Sequence, residues 1–495
     1  MNFFNNLLEH DPSFFWVLGI LVIHTSITLA IVFRVIMSNR SVGATLSWIF
    51  VVFMFPAIGS CIYLLIGELR LGSHRARMIS KLSIPLRFRY GILDRPHLKA
   101  DWHRIGEDYE LLARAGQRML QVPPVTGNHY ELFNHWDKVF DQLIEDIDAA
   151  TINVDMEFYI WHDAGRACEV AAALKRAIQR GVVCRVLVDA MGSHQFLKGR
   201  TARELQADGV RIQEALPGGI WRLPFVRFDL RMHRKIVLID DQIAWTGSLN
   251  LVDPRYFKQD AGVGQWIDAM VRIEGPAVEA LAITFQTDWY IETNSDSDHL
   301  PDITGEQPIR KIGTSVIQVL PSGPANQVEA IERLLITAVY SARRELVITS
   351  PYFVPSEALQ MALASAALRG VKVIVIVPAN VDSLLVRWAS QAFIGDLMQA
   401  GVFIAKFRGG LLHTKSVTID SRVSLFGSLN MDPRSFRLNF EITLAIYDSN
   451  FTNELRQLQQ DYLDQSEMID SENWSHRPVI SRFGEKAARL MGPLL

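Results

Sequence analysis

A chain of 495 residues is too long for one ordinary hydrophobic core, so its length implies two or three domains. Fifty basic side chains against 53 acidic ones leave a net charge of −3, which excludes the pervasive positive field of a general nucleic-acid binder. The three cysteines, Cys61, Cys168 and Cys184, are scattered and odd in number. They read as buried thiols of a reducing compartment and exclude a disulfide framework or a cysteine-based zinc site.

Residues 14–33, FFWVLGILVIHTSITLAIVF, carry no formal charge. As a helix this run reaches about 30 Å, the thickness of a bilayer core. Residues 44–66, ATLSWIFVVFMFPAIGSCIYLLI, form a second uncharged run in which Pro56 and Gly59 should kink a helix. No basic segment precedes the first run and the second follows closely, which argues against a cleaved signal peptide. Residues 1–66 therefore read as a two-helix membrane anchor.

Residues 67–129 form a basic juxtamembrane and connecting segment holding Arg70, Arg75, Arg77, Lys81, Arg87, Arg89, Arg95 and Lys99. The loop between the apolar runs has only Arg34 and Arg40, so the larger cluster should stay cytoplasmic with the N-terminus on the same side. Glu9 and Asp11 at that terminus run against the trend. The cluster also has the charge to bind anionic headgroups.

From about residue 130 the chain repeats itself. In the first unit (130–292), ATINVDMEFYIW (150–161) reads as a buried strand, Val170, Leu174, Ala177 and Ile178 keep helical spacing, and VCRVLVD (183–189) is a second strand after Arg180-Gly181-Val182. The second unit (312–470) answers with RELVITSPYFVP (344–355), a helix through Leu359, Leu363 and Leu368, then Arg369-Gly370-Val371 and KVIVIVP (372–378). Alternating strand and helix imply two α/β units with mixed sheets, packed as a pseudo-dimer within one chain. The polar stretch within 293–311 is the linker, and 471–495 an amphipathic tail suited to a surface helix on the membrane or on the protein. Gly209 to His233 spans 24 residues but Gly401 to His413 only 12. The excess contains GGIWRLPFVRFDLR (218–231), whose mixed aromatic and basic character suits an interfacial flap as well as a surface loop.

Each unit then reaches the same motif, HRKIVLIDDQIAWTGSLN (233–250) and HTKSVTIDSRVSLFGSLN (413–430). Strand alternation puts His233 with Lys235, and His413 with Lys415, on one face, while Asp240 and Asp420 point elsewhere and rank as structural. Lysine is a poor metal ligand and no zinc-site spacing exists, so neither metal nor cofactor is expected. An anion accounts for two His-Lys pairs: the lysines, Ser248, Asn250, Ser428 and Asn430 would surround a phosphate. One neutral histidine could then attack phosphorus while a protonated one donates to the leaving oxygen.

The doubled His-x-Lys-x-x-x-x-Asp pattern resembles the phospholipase D superfamily. The tails VDPRYFKQDAGVGQWID (252–268) and MDPRSFRLNFEITLAI (431–446), LLHTKSV (411–417), SPYFVPS (350–356) and the paired apolar runs further resemble bacterial cardiolipin synthases of the phospholipase D type, over almost the whole chain. The resemblance implies condensation of two phosphatidylglycerols into cardiolipin and glycerol at the bacterial inner membrane, without nucleotide, metal or nucleic acid. It makes His233, Lys235, Asp240, His413, Lys415 and Asp420 the catalytic motif residues, with His233 as nucleophile. Asp268 and Glu441 would orient the histidines, although they lie 18 and 11 residues after Asn250 and Asn430. The same groups would serve a hydrolytic phospholipase D or a phosphatidylserine synthase. A phosphodiesterase-type nuclease is disfavoured by the apolar runs, and a non-catalytic membrane scaffold is the reading from another class.

Overall fold

The computed structural model describes residues 12–38, 42–218, 226–293, 310–324, 329–381, 383–470, 472, 474 and 476–490. They form two compact units, one of the first 73 residues with 219–229 and one of the remainder.

In the smaller unit a helix spans Pro12–Met37. Its Phe15–Met37 stretch has a mean hydropathy of 2.2 and is long enough to cross a membrane. The second apolar run is not one helix. It divides into Val42–Met54, Pro56–Ile62 and a π-turn at Tyr63–Gly67, because Pro56 has no amide to donate and starts a new helix after Phe55 leaves helical geometry. At this break Gly59 lies so near Val51 that a Cβ there would meet its carbonyl oxygen at 2.4 Å. Ile31, Val35, Val52 and Tyr63 pack around the break. Cys61 is exposed on these helices and Cys168 is exposed in the larger unit, so only Cys184 is the buried thiol expected of all three.

Of the 218–231 excess, residues 219–225 lie outside the described residues. Val226 pairs with Leu71, and Arg227 N–H donates to Arg70 O at 2.9 Å, so this segment is tied to the chain that follows the apolar helices.

Among the described residues the larger unit is built on one 16-stranded mixed sheet, with a separate two-stranded pair of Trp266–Ile267 and Leu411–Leu412. Its first-repeat strands are β1 (Val125–Phe133), β2 (Asn153–Phe158), β3 (Val183–Asp189), β4 (Arg211–Ala215), β5 (Arg231–Met232), β6 (Ile236–Ile239), β7 (Ile243–Gly247), β8 (Trp266–Ile267) and β9 (Met270–Glu274). The second repeat supplies β10 (Ser315–Ser322), β11 (Glu345–Thr349), β12 (Lys372–Pro378), β13 (Phe403–Phe407), β14 (Leu411–Leu412), β15 (Ser416–Ile419), β16 (Val423–Gly427), β17 (Asn439–Ile446) and β18 (Ser466–Met468).

Strand order is β18-β13-β12-β11-β15-β16-β17-β10-β1-β9-β7-β6-β2-β3-β4, so apart from β18 the halves mirror each other about the antiparallel β10–β1 pair. The runs β2-β3-β4 and β11-β12-β13 are parallel. Strands β2 and β12 are buried almost throughout, because helices such as Arg166–Gln179 and Glu357–Leu368 cover them with Val170, Leu174 and Ala177 or Leu359 and Leu363. Both helices end at Arg-Gly-Val, where Gly181 and Gly370 share φ +89, the left-handed stop that glycine adopts without strain. Leu368, expected on the inner face, is exposed.

Two elements depart from the expected boundaries. The sheet begins at Val125, inside the stretch read as a connection. The preceding helix, Glu107–Leu120, buries Tyr109, Leu112, Ala113 and Leu120 in the second repeat's core. The basic stretch is also partly consumed: Arg75 pairs with Glu292 and Arg89 with Gln286, both buried and unavailable to headgroups. Residues 294–309 of the linker lie outside the described residues.

Asp240 and Asp420 occupy the β6–β7 and β15–β16 turns, both at φ +53 and each followed by a second left-handed residue, the geometry of a two-residue hairpin. The Asp240 carboxylate accepts N–H bonds from Thr151, Ile152 and Asn153, and that of Asp420 from Arg343, Arg344 and Glu345. Each fastens its hairpin to the start of β2 or β11. Replacing either by Ala should cost about 1–3 kcal/mol of stability. The expected outcome is a lower thermal midpoint with turnover per folded molecule unchanged; loss of turnover in a fully folded variant would assign the carboxylate to the chemistry.

Candidate active site

The two repeats exchange their ends. Strand β5 pairs with the start of β17, and β14 pairs with β8, so the segment before each motif histidine lies along the tail of the other repeat. His233 N–H donates to Phe440 O at 2.9 Å and His413 N–H to Ile267 O at 2.8 Å. This crossing decides the side-chain partners. His233 Nδ1 lies 2.8 Å from Glu441 Oε2, and His413 Nδ1 lies 2.6 Å from Asp268 Oδ1. The unequal spacing of the two carboxylates is thereby absorbed: each reaches the histidine of the opposite repeat.

Ser248 Oγ donates to Asp268 Oδ1 at 2.6 Å, and Ser428 Oγ to Glu441 Oε2 at 2.5 Å. The serines therefore hold the carboxylates; they do not line the cavity as phosphate contacts. Lys235 Nζ donates to His233 O at 2.7 Å and Lys415 Nζ to His413 O at 2.5 Å, so both ammonium groups also sit behind the histidines.

In front of them is a cavity of about 540 Å³ lined by His233, His413, Asn250 and Asn430 together with Tyr159, Ile160, Arg231, Lys258, Trp266, Tyr352, Val354, Ser383, Asp432, Arg434 and Asn439. The Tyr159 ring lies 5.0 Å from that of His233, and Trp266 4.3 Å from His413. With Nδ1 engaged, each imidazole presents Nε2 for the cavity. Asn250 Oδ1 accepts from Ile160 N–H at 3.3 Å, which leaves its amide hydrogens for a ligand. Asn430 Oδ1 and Asn439 Oδ1 are buried without a donor.

Arg231, Lys258 and Arg434 on the walls, and Tyr159, Tyr352, Trp266 and Asn439, are residues that motif spacing did not single out. The available signal was their place in the stretches flanking each motif. Among the described residues no group of three His, Cys, Asp or Glu converges as a metal site would.

Burial dominates the electrostatics. It pushes both His233 and His413 down to about 4, with neighbouring lysines adding to the fall and the partner carboxylates opposing it. Burial alone would raise Glu441 and Asp268, yet histidine, lysine and serine contacts hold both below the usual carboxylate range. The site thus pairs neutral imidazoles with ionised carboxylates. Lys235 is pushed down to about 7 and Lys415 to about 8, again chiefly by burial.

The site is not perfectly symmetric. Glu157, facing Ile236 on β6, is fully buried with neither oxygen hydrogen-bonded, and burial pushes it up to about 7 against the pull of Arg234 and Lys235. Its counterpart, facing Ser416 on β15, is Thr349.

An incoming phosphate favours charged lysine, so it raises both lysine values from 7 and 8. Inorganic phosphate should therefore bind with proton uptake near pH 8, and its affinity should fall as pH rises through this interval. Calorimetry in two buffers of different ionisation heat checks this; buffer-independent heat would show that the lysines are already charged in the empty site.

The sequence matches a family model described as cardiolipin synthase, PLD-like domain, over residues 143–289 and 335–462, and one described as phospholipase D-nuclease N-terminal over 26–68. It is 41% identical over 487 residues to cardiolipin synthase A of Erwinia tasmaniensis, covering 98% of each chain. It is 43% identical over 464 residues to that of Yersinia pseudotuberculosis, covering 93% of this chain and 95% of the relative. The crystal structure of phosphatidylserine synthase from Haemophilus influenzae shares the fold, with a TM-score of 0.58 at 16% identity over 78% of this chain and 100% of that one. The two matched segments each contain one of the crossed histidines, and with relatives of near-equal length they establish that the chain belongs to the phospholipase D-type family of bacterial cardiolipin synthases.

Proposed function

We propose that the protein transfers a phosphatidyl group from one phosphatidylglycerol to another, giving cardiolipin and glycerol. The observation that carries this reading is the pair of Nδ1-anchored histidines facing one cavity. In the first step His233 Nε2 attacks phosphorus, the phosphorus–oxygen bond to the headgroup glycerol breaks, and protonated His413 gives that oxygen its proton. The proton enters with the anionic lipid, whose charge opposes the burial that keeps the imidazole neutral. In the second step His413, now neutral, takes the proton from a glycerol hydroxyl of the second phosphatidylglycerol. That oxygen attacks phosphorus, and the phosphorus–nitrogen bond breaks.

Lys235 and Lys415 supply positive charge behind the phosphate, and Asn250 offers amide hydrogens to it. Asn430 Oδ1 and Asn439 Oδ1 are acceptors suited to glycerol hydroxyls. Assignment of His233 as nucleophile rests on the family resemblance.

We also read residues 44–66 as a second membrane pass, with the catalytic unit on the cytoplasmic side of the inner membrane. The basic excess after the apolar runs supports this orientation. A fluorescent-protein fusion after Leu495 should fluoresce, whereas a periplasmic phosphatase fused there should be inactive.

Purified protein given phosphatidylglycerol alone should form cardiolipin and glycerol in equal amounts. Phosphatidic acid as the main product would replace this reading by hydrolysis. With a phosphatidyl donor bearing a good leaving group, H413N should accumulate an adduct on residue 233; an adduct on residue 413 in H233N would reverse the roles. E441Q and D268N should each lower kcat by about 10²–10⁴-fold, because each removes the acceptor that fixes the opposite histidine's tautomer.

A further inference from the structure

The helix Val479–Leu490 faces the wrong way for a protein surrounded only by water. Its inner face is made of small and polar residues. Ala488 shares a buried apolar cluster with Val354, Ala389 and Phe393, and Glu485 is buried and paired with Arg477. The large apolar side chains are outside: Val479, Ile480 and Phe483 are 78%, 86% and 75% exposed. A surface helix that folds against its own protein turns the apolar stripe inward. Here the stripe is displayed, and exposed Arg482 and Lys486 flank it.

We infer that this helix is a second lipid contact, laying Val479, Ile480 and Phe483 into the acyl boundary of an anionic leaflet with Arg482 and Lys486 at the headgroups. Charge selects this occupant. The helix's one carboxylate, Glu485, is turned inward and neutralised, so the outward ionic groups at its centre are cations, which attract anionic headgroups. Docking a second copy on the same face would bring like charges together. Position gives the contact a use: Val354, in the same buried cluster as Ala488, is also a wall of the reaction cavity, and Ser383 on that wall immediately precedes the helix Leu384–Gln399 that carries Ala389 and Phe393. Insertion of the outer face would therefore hold that wall of the cavity close to the lipid surface. The choice of an anionic lipid rests on the proposed phosphatidylglycerol chemistry; the apolar contact does not.

The test uses the full chain with Cys61 and Cys168 replaced by Ser and an environment-sensitive dye on I480C. In phosphatidylglycerol vesicles the dye should shift to the blue and be quenched by spin-labelled lipids several-fold more than in phosphatidylcholine vesicles. R482E/K486E should remove the difference. I480S/F483S should lower cardiolipin formation from vesicle lipid by about tenfold while sparing micellar short-chain phosphatidylglycerol, because it removes the two larger of the three apolar side chains that insert. A dye unquenched in both vesicles overturns the inference, as does quenching that appears only between labelled copies and grows with protein concentration. If the wild-type chain proves inert towards phosphatidylglycerol, the dye still reports the lipid contact, so the two proposals fail separately.

Discussion

The arrangement turns on two buried carboxylates that can stay ionised only beside an imidazole of the other repeat. Asp268 and Glu441 are almost fully enclosed, where an unpaired charge is prohibitively costly. Their compensation comes from His413 and His233, from one serine each and from two lysines. Much of the architecture follows from keeping these donors together. The β5–β17 and β8–β14 exchanges bring each histidine to the opposite tail, and the β1–β10 pair fixes the axis about which the exchange occurs. A small displacement of one repeat against the other would lengthen both short contacts at once.

That constraint also accounts for the electrostatic state of the groups around the cavity. Its lysines are tethered to backbone carbonyls and depressed by burial, and its histidines are neutral. With both imidazoles neutral, the positive charge behind the cavity rests on two lysines already weakened by burial, so the site costs less to fold than one with four fixed cations. Glu157 at one side and Thr349 at the other give the two lysines different surroundings within this near-symmetric frame. The sequence motif alone offers no such distinction.

Much of this was legible in the chain itself. The repeat, the parallel strands at 183–189 and 372–378 and the convergence of the two histidines follow from patterning, since each strand is bounded by the same Arg-Gly-Val stop and each motif by the same Gly-Ser-Leu-Asn. Alternation also separated Asp240 and Asp420 from the cavity, because an odd offset leads into the turn. What alternation could not supply was which layer a polar residue occupies. Ser248 and Ser428 stand one layer behind the expected phosphate, and the crossing of Asp268 and Glu441 depends on pairings between residues more than a hundred positions apart. The continuous apolar run at 44–66 concealed a helix break whose cause, Pro56, was visible but whose extent depended on the close approach of Gly59 to Val51. Outward display of Ile480 and Phe483 was equally hidden, since amphipathic spacing specifies that a helix has two faces and leaves open which one meets the protein.

The exchanged ends carry a further consequence, for the history open to such a chain. A duplicated gene normally frees one copy to drift, since each copy folds and works alone. Here neither repeat contains a complete acid–base pair: the imidazole of one is oriented by the carboxylate of the other. Neither copy can decay while its twin carries the load, because loss of the carboxylate at 441 leaves the imidazole at 233, on the far side of the pseudo-axis, without its anchor. The repeats differ in loops, as the 12-residue excess before His233 shows, but at their centre each depends on the other for the carboxylate that anchors its histidine.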